Sequence, residues 1–357
     1  MTSGTRFIST AVFLMGSISL GSCSMKKSTR VDELFEAYRD RHAPGAAVII
    51  IKNGRPLLIQ AYGAATLEDK IAVTPATNFR LDSVSKQFTA MGLMMLAERG
   101  EVNYDMTLAG IFPDFPDYGK AITVRHLLTH TSGLIDYEDL IPDTATVQVF
   151  DRDVLAMMKQ QDSTYFPPGT QHRYSNTGYA LLAMVVEKIA QKSFAQFLQE
   201  NIFVPLGMAN TVAFEKGIAT VARRALGYRM EQDKFIFKDQ SLTSAVLGDG
   251  GIYSSVEDLF KWDQALYTEL LVKSESLQQA FTPAVLLDGT ITDYGFGWRS
   301  DEYRGRKRMH HTGSTSGFRN VIQRYPDDKF TVIILTNRAE PEVTPLAEKL
   351  VDWFLIE

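Results

Sequence analysis

The chain has a single cysteine, Cys23, among 357 residues, so no disulfide can close within it. It has six histidines, His42, His126, His130, His172, His310 and His311, and none stands at H-E-x-x-H or another metal-ligand spacing. Neither a metal nor another cofactor is expected. No basic block exceeds the three residues Arg306-Lys307-Arg308 and the net charge is −5, which sets nucleic acid aside as a partner. Internal repeats, coiled-coil heptads and low-complexity runs are absent. What is there is an ordinary globular balance, 45% apolar and 22% charged, with ample material for a core. The length suits one large domain or two smaller ones.

Residues 1–22 differ from the rest. Arg6 gives a short positive start, and Phe7 to Leu20 is an apolar stretch diluted by Ser9, Thr10, Gly16, Ser17 and Ser19. That length matches a signal-peptide core better than a membrane span. The stretch ends in Leu20-Gly21-Ser22-Cys23, which resembles a bacterial lipobox with Cys23 as the lipidated first residue. The alternatives are a plain signal peptide that contains a cysteine, or an uncleaved anchor. On the lipoprotein reading, 23–30 is a polar tether and the protein sits in the bacterial cell envelope, lipid-anchored.

From Val31 the pattern becomes that of a folded domain running to 357. Val31, Leu34, Phe35 and Tyr38 mark an amphipathic helix closed by Pro44-Gly45. Ala46–Ile51 and Pro56–Tyr62 flank Asn53-Gly54, a strong hairpin signal. A mainly helical stretch follows, about 83–245, including helices near 124–130, 153–160, 178–191 and 194–201. Gly248-Asp249-Gly250-Gly251 marks a tight loop before a helix over 256–267. Arg308–His311, Asn320–Tyr325 and Phe330–Leu335 read as antiparallel strands, and 343–355 as a closing helix. The expected fold is α/β in the broad sense (α+β). An antiparallel sheet is built from both ends of the chain, flanked by helices, with a helical region inserted.

Three short stretches carry chemistry. In Ser83-Val84-Ser85-Lys86 the serine and lysine lie three apart, on one face of a helix whose apolar run reaches Ala97. A lysine can take the serine's proton if desolvation lowers its pKa. Alone the motif is weak: Ser24-Met25-Lys26-Lys27 matches it too, and Ser83 can equally be a helix N-cap beside a solvated lysine. Tyr174-Ser175-Asn176 offers a phenol that can shuttle a proton beside an ammonium, and an amide that can hold a substrate carbonyl and Lys86. It also reads as a loop with Asn176 as N-cap. His311-Thr312-Gly313-Ser314 can end a strand whose edge docks an acyl group, or form a plain turn.

Taken in order, S-x-x-K, Y-x-N and [KH]-T-G resemble the serine hydrolases that comprise class C β-lactamases, D-alanyl-D-alanine carboxypeptidases and β-lactamase-like esterases. Leu127–Leu134, Pro167-Pro168-Gly169, Gly250-Gly251 and Gly295-Phe296-Gly297-Trp298 resemble that family's scaffold, so the likeness covers about 31–357. The resemblance implies a β-lactamase/transpeptidase-like fold. Ser83 would be the acylated nucleophile, with Lys86 and Tyr174 as the proton-transfer pair. Asn176 would bind the substrate amide, His311, Thr312 and Gly313 would line the docking edge, and the N–H groups of Ser83 and Ser314 would form the oxyanion hole. The implied substrate is a small-molecule or peptide ester or amide. Class C β-lactamases usually have lysine where this chain has His311, and no S-D-N motif or class A-style deacylation glutamate is apparent. A β-lactam hydrolase and a non-catalytic penicillin-binding or sensor lipoprotein remain the other readings. If Cys23 carries the lipid, Cys23→Ser moves the protein from the membrane to the soluble fraction on fractionation; unchanged membrane association contradicts lipidation.

Overall fold

Ala46–Ile51 lacks a polar side chain because both faces of this strand are covered. A computed structural model describes residues 29–357; the signal-like segment, Cys23 and most of the tether lie outside the described residues. β1 (Ala46–Lys52) turns at Asn53-Gly54, both at positive φ, into β2 (Arg55–Tyr62). Its other edge pairs antiparallel with a strand from the far end of the chain, Ala46 opposite Thr336. Naming the C-terminal strands β3 (Arg299–Tyr303), β4 (Arg306–Thr315), β5 (Phe318–Tyr325) and β6 (Phe330–Thr336), the sheet runs β3-β4-β5-β6-β1-β2. Among the described residues no strand between Tyr62 and Arg299 joins it. The sheet is therefore antiparallel and assembled from both chain ends, as expected.

Alternation on β1 separates two cores. Ala46, Val48 and Ile50 pack with Val31, Phe35, Val343, Ala347 and Leu350 on one face. Ala47, Ile49 and Ile51 pack into the larger core that holds the serine helix. Burying each such aliphatic side chain stabilises the fold by about 1.5–3 kcal/mol before entropy is counted. The serine helix, α1 (Lys86–Glu98), buries nearly every residue and stops before Gly100 at φ +72°, where a glycine closes the helix without strain. Asn176–Ala190 forms α2 and Val256–Ala265 forms α3. Trp262 of α3 meets the Phe88 ring at 4.4 Å and donates its indole N–H to Gln87 Oε1 at 2.9 Å, which locks α1 in place.

A small sheet fixes the turn ahead of α1. Phe79–Arg80 pairs with Ile252–Ser254, which also pairs with Val212–Ala213, and the Leu81 N–H donates to Ile252 O at 2.8 Å. Several details differ from the sequence reading. The inserted region also holds a hairpin, Tyr228–Glu231 with Lys234–Phe237, turning at Gln232-Asp233, both at positive φ. No glycine announces that turn. The strand expected at Arg308–His311 continues to Thr315, because Gly313 and Ser314 stay paired with Asn320 and Arg319. The edge strand Arg299–Tyr303 carries charges on a half-exposed ladder, so it has no apolar alternation to read.

Candidate active site

The residue before the serine bends the chain. Asp82 sits at φ +50°, a left-handed conformation that a non-glycine residue adopts at a penalty. It starts a 3-10 turn, Asp82–Ser85, that runs into α1. No serine side chain caps this turn, so the N-cap reading of Ser83 does not hold. Ser83 instead points into a cavity of about 230 Å³, shared with Asn176, Ser314 and three acids, Asp82, Glu138 and Asp249.

Lys86 is fully buried, and its Nζ meets three oxygens: Ser83 Oγ at 3.0 Å, Asn176 Oδ1 at 2.8 Å and the Asp249 carbonyl at 2.9 Å. An ammonium has three donors, so all are used. The Tyr174 and Tyr179 rings lie 5.0 and 5.6 Å from Nζ, within cation–π range. Burial alone pulls a lysine pKa down. Here Tyr174, Asp249 and Asp82 outweigh burial and hold Lys86 above its ordinary value. The condition under which Lys86 could take the serine's proton, a lowered pKa, is therefore not met: its surroundings favour the ammonium.

The other expected residues converge on it. The Tyr174 hydroxyl is buried without a well-directed hydrogen bond. Burial raises its pKa, while Lys86 and Ser83 both favour its ionised form. Asn176 is the first residue of α2 rather than its cap; Ser175 holds the cap position with no side-chain bond. The Asn176 N–H donates to Asp136 Oδ2 at 2.8 Å and its Nδ2 to Glu138 Oε1 at 3.1 Å. Its amide thus faces Lys86 on one side and an acid on the other.

His311 Nδ1 lies 2.7 Å from the Thr312 carbonyl, which can only accept, so Nδ1 carries the proton. Nε2 then accepts from the Tyr294 hydroxyl at 2.8 Å. Burial first, and then Lys86, hold His311 well below the usual histidine pKa, so it is neutral. Beyond His310 the neighbouring strand ends, leaving Thr312 and Ser314 exposed along a free edge while His311 and Gly313 point inward. A side chain at Gly313 would meet the Leu81 carbonyl at 2.1 Å, so this glycine admits the turn that carries Ser83. The backbone N–H of Ser314 is directed at the Asp82 carboxyl.

A sequence model described as Beta-lactamase matches residues 31–352. The chain belongs to the Beta-lactamase family. This β-lactamase-related serine hydrolase has a 33% identical relative over 334 residues in Penicillin-binding protein 4* of Bacillus subtilis (strain 168), covering 88% of this chain and 73% of that one. The D-aminopeptidase of Brucella canis (strain ATCC 23365 / NCTC 10854 / RM-666) is 29% identical over 303 residues, which cover 82% of this chain. The chain spans only 56% of that relative's length. Among solved structures, the octameric penicillin-binding protein homologue from Pyrococcus abyssi matches with a TM-score of 0.79 and 25% identity, covering 95% of this chain and 78% of that one.

Sequence reasoning missed the residues that set the charge around Lys86. Asp249 stood only in a glycine-rich loop, yet its carbonyl binds Lys86 and its carboxylate accepts from Tyr137 at 2.8 Å. Asp151 holds that loop, accepting the N–H groups of Leu247 at 2.8 Å and Gly248 at 2.9 Å. Its burial lifts its pKa to about 7 against those bonds. Neither acid falls in a motif; the signal was the need of a buried ammonium for acceptors. The pH dependence of stability has opposing parts: the raised Asp151 favours the folded state as pH falls below about 7, and the histidines act the other way. His130 and His311 are both buried and held well below the usual value of about 6.5. The unfolded chain binds their protons first, so their contribution is present above about pH 6.5 and is lost as pH falls. On acidification through that window the urea midpoint of His311→Gln should gain on that of the wild type, whatever the net trend of both; a difference that does not change with pH contradicts this.

Proposed function

We propose that the chain hydrolyses the amide or ester of a small acyl group bearing a free ammonium, a D-amino-acid derivative, through an acyl-enzyme at Ser83. The observation that carries this reading is the Lys86 ammonium donating to Ser83 Oγ beside an acid-lined pocket. Glu138 is raised above the ordinary glutamate range by burial and then by Asp136. A substrate ammonium placed against these acids relieves their repulsion. The D-aminopeptidase relative supports the amino-acid class.

Because Lys86 donates to Ser83 Oγ, the serine's own proton is directed elsewhere, and Tyr174 is the buried oxygen near enough to receive it. The Lys86–Tyr174 pair must first release one proton, leaving an ammonium beside a phenolate. Ser83 Oγ then bonds to the substrate carbonyl carbon as Tyr174 takes its proton. The N–H groups of Ser83 and Ser314 hold the oxyanion, the substrate oxygen taking the Ser314 N–H over from the Asp82 carboxyl, each donor worth about 3 kcal/mol. The bond to the amine or alcohol breaks, the leaving group departs with the proton from Tyr174, and water completes the cycle by the same route. Asn176 aligns the substrate amide, and Thr312 and Gly313 form the edge along which the acyl group lies. Neutral His311 supplies no fixed positive charge for a substrate carboxylate, which favours the amidase or peptidase reading over β-lactam hydrolysis. We also infer that Cys23 anchors the mature chain to the cell envelope, a reading supported by the sequence pattern at 20–23.

A fluorophosphonate or fluorescent penicillin probe should label the wild type and fail to label Ser83→Ala; equal labelling of both contradicts the acyl-enzyme. With nitrocefin, a single stoichiometric burst is expected, whereas sustained turnover makes the chain a β-lactamase.

A further inference from the structure

Arg80 lines the same pocket, and no carboxylate among the described residues forms an ion pair with it. It ends the short strand Phe79–Arg80, three residues before Ser83, and is 2% exposed. Its Nε and Nη1 are buried and have no hydrogen-bond acceptor among the described residues. A guanidinium stays charged at any ordinary pH, so burying it unpaired is costly. Two other buried arginines show the usual solution. Arg308 holds Asp301 and Glu348 at 2.6 and 2.9 Å, and Arg324 holds Asp263 at 2.6 Å. Asp82 does not play that part for Arg80. Its Oδ2 is itself buried without a partner.

The pocket wall supplies the rest of an anion site. Ser241, Thr243, Thr315 and Ser316 line it along with Arg80, and each carries a hydroxyl that can donate. The acids Glu138 and Asp249 line the same pocket. A cavity of about 230 Å³ holding both kinds of group suits one small zwitterion rather than a long chain. Hydrogen bonds from a guanidinium to a carboxylate are among the stronger ones, and a desolvated site strengthens them further.

We propose that Arg80 receives a carboxylate carried by the substrate's acyl group, so that the preferred acyl group is a zwitterion with its ammonium toward Glu138 and its carboxylate toward Arg80. This rests on the acyl-enzyme reading and narrows it to acyl groups of the acidic amino-acid class.

The test compares two near-isosteric substrates, the α-p-nitroanilides of D-glutamate and D-glutamine, which differ only in a carboxylate against an amide. In the wild type, kcat/KM for the glutamate compound should exceed that for the glutamine compound about tenfold or more, the scale of one charge-assisted hydrogen bond. In Arg80→Gln that ratio should fall to about one or below. A wild-type ratio at or below one overturns the proposal whether or not the variant folds. So does a ratio that Arg80→Gln leaves unchanged while thermal unfolding shows a folded protein. Should Arg80→Gln not fold, Ser316→Ala should narrow the ratio severalfold, and no change there counts against the site. Probe labelling of Ser83 separates the two failures. Labelling with no glutamate preference sinks only this inference, whereas no labelling and no turnover of either anilide sinks both.

Discussion

The buried ammonium of Lys86 is the interaction on which the site depends. Removing a charge from water is unfavourable, and here three oxygens from three separate parts of the chain compensate. One belongs to the nucleophile, one to α2 and one to the loop at Asp249. Each must be in place for the lysine to stay buried, so folding and assembly of the site are one event. The same contacts decide the chemistry. An ammonium with all three donors engaged holds Ser83 in position; on the proposed mechanism it also stabilises negative charge on Tyr174 while the serine proton moves elsewhere.

The surroundings of His311 follow from that charge. A second cation beside Lys86 would be repelled, and the fold avoids one by burying His311 in a fixed neutral form between Thr312 and Tyr294. The strand edge then offers backbone and hydroxyl groups with no charge. On the proposed reading, selectivity for charged groups rests with the acids and Arg80 that line the pocket at Ser83.

Much of this was legible in the residues. Asn53-Gly54 announced the hairpin of Ala46–Ile51 with Pro56–Tyr62, and the apolar run to Ala97 the buried serine helix. Ser83, Lys86, Tyr174, Asn176 and His311 do come together, because the helical insertion carries Tyr174 and Asn176 back onto the turn before α1. What escaped was set by tertiary neighbours. The direction of the Lys86 shift depends on Tyr174, Asp249 and Asp82, and no local spacing reports their distance. The strand Arg299–Tyr303 and the hairpin at Gln232-Asp233 are polar or lack turn glycines, so periodicity is silent there. Gly313, expected on the docking edge, also makes room for the Leu81 carbonyl, a need that only the folded chain reveals.

The protonation state of Lys86 tests the account most directly. With 13C-labelled lysine, the Cε resonance of Lys86, assigned by its loss in Lys86→Arg, can be followed by NMR as pH is raised. The account predicts an ammonium shift that persists to about pH 10, where an ordinary lysine begins to titrate. A Lys86 that is already neutral at about pH 7 would contradict it, and would return the role of base to the lysine.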